Sequence, residues 1–98
     1  MIKSPRTFKA VELSTSHLKE DVAQQIEQWV STGFGPGDLI IYPKSEYGWF
    51  IPITDEIDLM SLPYSLAYVI STCLVMEAEW IIFDRDVEIA EYLPYYDW

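Results

Sequence analysis

Residues 38–53 read Asp38-Leu39-Ile40-Ile41-Tyr42-Pro43-Lys44-Ser45-Glu46-Tyr47-Gly48-Trp49-Phe50-Ile51-Pro52-Ile53. Two runs rich in β-branched and aromatic residues flank the short polar Pro43-Lys44-Ser45-Glu46, the pattern of a hairpin with strands over 38–42 and 47–53. Pro52 lacks a ladder donor and belongs on an outward edge or at a strand end. The hairpin decides the fold because of what lies on either side of it. Upstream, Gly33-Phe34-Gly35-Pro36-Gly37 permits the positive φ and sharp turn of a helix exit. Before it, Leu18, Val22, Ile26, Trp29 and Val30 recur at helical spacing, with Ser14-Thr15-Ser16 as hydroxyl caps and Glu20 and Asp21 in the first turn, which predicts a helix over 17–31. Further upstream, residues 8–13 alternate as a half-buried strand does, facing the core with Phe8, Ala10 or Val11, and Leu13.

Downstream, Asp55, Glu56 and Asp58 cross an acidic loop to Ser61, a cap, and Pro63, which fits a first helical turn, so a second helix is expected over 61–76. Residues 79–84 read as a buried strand. A tail follows from Arg85 to Trp98, in which 87–89 has the makings of a further short strand. The order β-α-β-β-α-β in 98 residues predicts a single domain over 1–98. Its class is α+β, a two-layer sandwich, ferredoxin-like or similar, with two helices on one face of an antiparallel sheet.

Half of the residues are hydrophobic and 15% aromatic, enough apolar surface to offset the entropy of folding without disulfides. A two-domain enzyme is excluded by length. Sixteen acids against six bases give a net charge of -10, a field that repels nucleic acid and attracts basic surfaces. The charge is uneven along the chain: residues 1–44 hold five acids and five bases, whereas 45–98 hold eleven acids and only Arg85. Cys73 is the only cysteine and His17 the only histidine, so neither an internal disulfide nor a thiolate or imidazole zinc site can form, and a reducing, cytoplasmic setting is expected. The opening residues 1–9 show no charged-then-apolar leader, so secretion is not expected. The charge-free run 59–76 barely reaches membrane-spanning length and carries Pro63 and four hydroxyl residues, which favours a buried helix over a span. That helix is apolar nearly all round and needs cover beyond one sheet, from self-association along 61–76 or from the C-terminal tail.

Three constellations invite chemistry. Phe83-Asp84-Arg85-Asp86-Val87 has the Asp-x-Asp spacing of haloacid-dehalogenase-type phosphotransferases, but that family carries the motif on its first strand with a lysine and further acids downstream, and no lysine follows Asp86. If the strand continued, Asp84, Asp86 and Glu88 would instead form a line of carboxylates about 6 to 7 Å apart, a spacing like that of successive phosphates, or a protected edge, or a weak site for a hard cation. His17 beside Ser14, Thr15 and Ser16 suggests a base and nucleophile, although proximity in sequence does not make a dyad. Tyr92, Tyr95, Tyr96 and Trp98 crowd the tail, residue types that either dock back on their own domain or anchor a partner.

Leu13-Ser14-Thr15-Ser16-His17-Leu18, Tyr47-Gly48-Trp49-Phe50, Phe83-Asp84-Arg85-Asp86 and the terminal Leu93-Pro94-Tyr95-Tyr96-Asp97-Trp98 together resemble a family of small uncharacterised bacterial proteins carried on plasmids and integrated mobile elements. The terminal Leu-Pro-x-Tyr-Asp-Trp is the most specific part. The resemblance implies a setting, in which small acidic proteins often protect the element from host defence, and no catalytic residues. Where that family has a hydroxyl residue after His-Leu, this chain has Lys19, a departure at the expected helix cap.

These readings converge on a non-enzymatic acidic protein-binding module without cofactor or metal. Its expected partner is a protein with a basic surface, in the sharpest form a nucleic-acid-binding defence enzyme of restriction or CRISPR type blocked by charge mimicry. The partner-binding residues expected are Asp84, Asp86, Glu88, Glu91, Asp55, Glu56, Asp58, Tyr95, Tyr96 and Trp98. The alternatives are a small enzyme using His17 with a hydroxyl or carboxylate partner, and a structural homodimer through 61–76. Direct nucleic-acid and membrane binding are not expected.

Overall fold

Alternation places Trp49, Ile51 and Ile53 on one side of the third strand and Phe50 and Pro52 on the other, and the computed structural model shows the first set buried and the second half-buried. It describes residues 4–33 and 35–98. Phe34, within the predicted helix exit, and residues 1–3 of the opening segment lie outside the described residues. The elements are β1 (Ala10–Ser14), α1 (Glu20–Thr32), β2 (Tyr42–Lys44), β3 (Gly48–Pro52), α2 (Tyr64–Val75) and β4 (Trp80–Asp84). They form the expected α+β sandwich of one sheet and two helices.

The sheet order is β1-β4-β3-β2. β4 is antiparallel to β3, and β3 to β2, but β1 runs parallel to β4. The sheet is therefore mixed, not antiparallel throughout, and the ferredoxin-like wiring is replaced. Strand composition explains the choice. β4 (Trp80-Ile81-Ile82-Phe83-Asp84) is apolar on both sides until its end and takes a central place, while β1 carries the exposed Glu12 between half-buried Val11 and buried Leu13 and suits an edge.

The register builds the core in rows. Leu13, Phe83 and Trp49 lie side by side, as do Val11, Ile81 and Ile51. Leu18, Val22, Ala23 and Ile26 from the α1 side and Leu66, Val69, Ile70 and Cys73 from α2 complete one buried cluster on this face. Each large apolar side chain removed from water here contributes about 1.5–3 kcal/mol. The opposite face carries Glu12, Ile82, Phe50 and Tyr42 in one row and Ser14, Asp84, Gly48 and Lys44 in the next.

Local boundaries shift for identifiable reasons. Ser14 does cap, its Oγ accepting the Ser16 N–H at 3.1 Å, but what it caps is a 3₁₀ turn over Thr15–His17. Leu18 is extended, and α1 begins at Glu20 with Lys19 at the cap position and no side-chain cap bond. The Lys19 N–H instead takes Ser65 Oγ at 3.3 Å, tying the start of α1 to α2. At the other end, Gly33 closes α1 at φ 81°, a left-handed conformation that favours glycine. The hairpin turn falls at residues 45–47, so Pro43 and Lys44 join the edge strand β2, and residues 38–41 are not strand. Ser61 lies in a 3₁₀ turn over Leu59–Ser61 capped by Asp58, and α2 starts only after Pro63. Residues 87–89 form no strand: the chain turns after Asp84, with the Val87 N–H on the Asp84 carbonyl at 3.2 Å. The tail does cover part of the helical layer, Leu93 lying in the buried core with Ala90 packed against it.

Candidate functional site

His17 is 1% exposed, and both its ring nitrogens are committed. The Ala90 N–H donates to Nε2 at 2.9 Å, which leaves the ring proton on Nδ1, donated to the Pro94 carbonyl at 2.7 Å. Beside it the Tyr96 N–H donates to the Ser16 carbonyl and the Trp98 indole N–H to the Leu18 carbonyl, each at 2.8 Å. Lys19 Nζ lies 5.8 Å from the Tyr96 ring centroid. The segment around His17 and the terminal Leu-Pro-Tyr-Tyr-Asp-Trp are therefore two halves of one clasp. His17 is a strut: among the described residues its two ring nitrogens bond only backbone groups, with no hydroxyl or carboxylate side chain on either. Cys73 offers no nucleophile either, since burial pushes its thiol up to about 11.

The acidic residues divide. Asp84, at the end of β4, is buried, with Oδ2 2.5 Å from Lys44 Nζ on the edge strand and Oδ1 accepting the Asp86 N–H at 2.8 Å. The Lys44 hydrogen bond, then the Asp86 N–H, hold its carboxyl below the usual range, and the same bond raises Lys44. Asp84 is thus a structural ion, not a free charge. Since the chain turns after it, Asp84, Asp86 and Glu88 do not form the straight line of carboxylates expected of a continued strand. Asp86, Glu88 and Glu91 are exposed along the tail.

Asp55, Glu56 and Asp58 are exposed too, but they follow β3 beyond Pro52, which pairs with Trp80, whereas Asp86 follows Asp84, which pairs with Gly48. The two acidic groups leave the sheet at opposite ends, separated by a strand length of roughly 13 Å. Asp58 is engaged locally, its Oδ1 accepting the Met60 N–H at 3.1 Å and its Oδ2 the Ser61 hydroxyl at 2.6 Å. Of the tail aromatics, Tyr95 is exposed, Tyr96 half-buried under Lys19, and Trp98 held by its indole nitrogen with about half of the residue open to solvent.

What sequence reasoning missed is a groove of about 260 Å³ at the Asp84 end of the sheet. Thr15 lines it from the turn after β1. Glu20, Gln24 and Glu27 come from one face of α1, Glu46, Tyr47 and Trp49 from the hairpin, Arg85 from the turn after β4 and Trp98 from the tail. Arg85 sits 5.2 Å from the Tyr47 ring centroid and 3.8 Å from Glu46. The helical recurrence of Glu20, Gln24 and Glu27 was the one signal available, and it reads equally as a solvated helix face. Among the described residues no three His, Cys, Asp or Glu side chains converge to hold a metal ion, and no helix is long and apolar enough to cross a membrane.

A mixed four-stranded α+β sandwich whose tail is clasped over the first helix start defines the class of domain. Residues 10–98 match the C-terminal domain of a family of unknown function (DUF5983), and the chain belongs to that family. No curated protein and no solved structure is found to be similar to it.

Proposed function

We propose that this domain is a non-enzymatic, acidic protein-binding module whose partner presents a basic surface. One observation carries the reading: ion pairs among the described residues engage only Glu46, Glu79 and Asp84, and most of the sixteen carboxylates are on exposed residues. Such a field raises encounter rates with basic partners and rejects nucleic acid. In its finer form the partner is a nucleic-acid-binding defence enzyme, of restriction or CRISPR type, held off its substrate by charge mimicry in a cytoplasmic, mobile-element setting. Asp86, Glu88 and Glu91 support that form, with Asp84 removed from the binding set by its pairing to Lys44.

The test is a pull-down from bacterial lysate with and without excess duplex DNA, at two salt concentrations, repeated with Asp86→Asn, Glu88→Gln and Glu91→Gln combined. Capture of a nucleic-acid enzyme that DNA displaces and the triple variant loses is the expected result. Capture of a partner indifferent to DNA and to the variant would overturn the mimic.

A second reading has its own observation. Met60, in the turn before α2, is 94% and Tyr64 75% exposed, with the Tyr68 ring 6.1 Å from that of Tyr64, an open apolar strip running from that turn onto α2. Self-association through it predicts a concentration-dependent dimer in sedimentation, abolished by Tyr64→Glu.

A further inference from the structure

The groove at the Asp84 end combines three features that do not depend on one another. Its walls are aromatic, with Tyr47, Trp49 and Trp98, and Tyr47 already has Arg85 and Lys44 near its ring, whereas neither tryptophan has a cation over it among the described residues. Its rim is acidic: Glu20 and Glu27, two turns apart on α1, face it without an ion-pair partner among the described residues, so Arg85 opposes three carboxylates. Its lining includes a hydroxyl: Thr15 is 8% exposed, and its side chain makes no hydrogen bond among the described residues. A cation placed over a tryptophan face gains from the ring quadrupole, and more so where carboxylates flank it and water is partly displaced. A planar guanidinium matches this set, since its fork of donors can reach two carboxylates and a hydroxyl while its face stacks.

We infer that the groove accepts a single arginine side chain of a protein partner, stacked on Trp98 between Glu20 and Glu27 and donating to the Thr15 hydroxyl. The inference rests on the acidic-module reading and names the place where the basic partner is gripped. The first shared chemistry to separate is that of a peptide arginine from that of a free guanidine metabolite. The probes are acetyl-Gly-Arg-Gly-amide, its citrulline counterpart of the same shape without charge, and agmatine, titrated at low salt while the Trp98 indole N–H resonance, assigned with Trp98→Phe, is followed by NMR.

The arginine peptide shifts that resonance saturably and the citrulline peptide does not. Glu20→Gln with Glu27→Gln weakens binding at least about fivefold, and Thr15→Val about threefold, with the fold checked by the remaining amide spectrum. An equal response to citrulline, or unchanged affinity in the double glutamate variant, overturns the inference; agmatine binding about tenfold more tightly than the peptide overturns its protein source. If lysate capture survives the double glutamate variant while the titration fails, the groove falls and the acidic-module reading stands. If the titration succeeds and no basic partner is captured, the reverse holds.

Discussion

The two ends of the sheet use the same kinds of residue in opposite ways. At the end formed by Ser14, Gly48 and Asp84, an acid is paired, a histidine is spent on backbone, and the tail is fastened over the start of α1. At the end beyond Pro52 and Trp80, acids lie in an open loop whose side-chain bonds are local, from Thr54 to Glu56 and from Asp58 to Met60 and Ser61. One carboxylate at the first end, Asp84, is thus built into the sheet by a cation from the edge strand, whereas the acids of the second end are tied only within their own loop, and substitutions should sort by whether the carboxylate is paired across the sheet or locally.

The largest effect is expected at Gly48. A Cβ there would lie 1.8 Å from the Phe83 carbonyl oxygen, and backbone on both strands prevents relief. Gly48→Ala should cost about 3 kcal/mol or more in urea unfolding, a large share of a typical total of roughly 5–15 kcal/mol. A neutral result would mean β3 and β4 do not approach as described. Next comes His17→Ala, which strands the Ala90 N–H and the Pro94 carbonyl. About 2–3 kcal/mol should be lost, and the tail after Ala90 should become the first site of proteolysis. Unchanged cleavage would dissolve the clasp.

Asp84→Asn should be milder at neutral pH, because an amide can still accept from Asp86, and its signature is the pH profile. Asp84 is depressed below its ordinary value of 3.8. Its contribution is present above that value and is lost as pH falls through the lower folded value, so wild-type melting temperature should drop at acid pH by more than that of Asp84→Asn. Lys44 is raised above 10.5, so its contribution holds below that pH and fades above it. Parallel profiles for the two proteins would show the pair to be unimportant. At the open end, Asp58→Ala should cost about 1 kcal/mol through the lost cap. Asp55→Asn with Glu56→Gln should change stability by no more than about 0.5 kcal/mol, and a larger loss would erase the contrast between the ends.

The elements were legible where periodicity alone sufficed. The alternation of Trp49, Ile51 and Ile53 and the spacing of Leu18, Val22 and Ile26 each point to one buried face, and those faces are buried. Pairing was not legible, because a strand's period says which side is apolar and nothing about its neighbour; β1 beside β4 follows from comparing whole strands. The cation of Asp84 lies forty residues upstream, so the acidic excess of residues 45–98 looks more segregated in sequence than in space. Arg6, 3.8 Å from Glu79, makes the same point. Of the residues lining the groove, Trp98 was expected to bind a partner and Thr15 was weighed only as a helix cap or as a nucleophile beside His17, and the groove draws on five separated segments. His17 was visible but misleading, since its partners are backbone groups that no side-chain pattern announces.

The parallel pairing of β1 with β4 also bears on how the chain reaches its native state. The first strand has no ladder partner until the last is available, and Ala10 to Trp80 closes a long loop before any bond repays it. The hairpin and both helices are local and can form early, while β1 stays unpaired at the margin of a half-built sheet. During synthesis its apolar positions would be shielded last, which makes that strand the natural place for a chaperone to hold and for swapping between two nascent copies to begin.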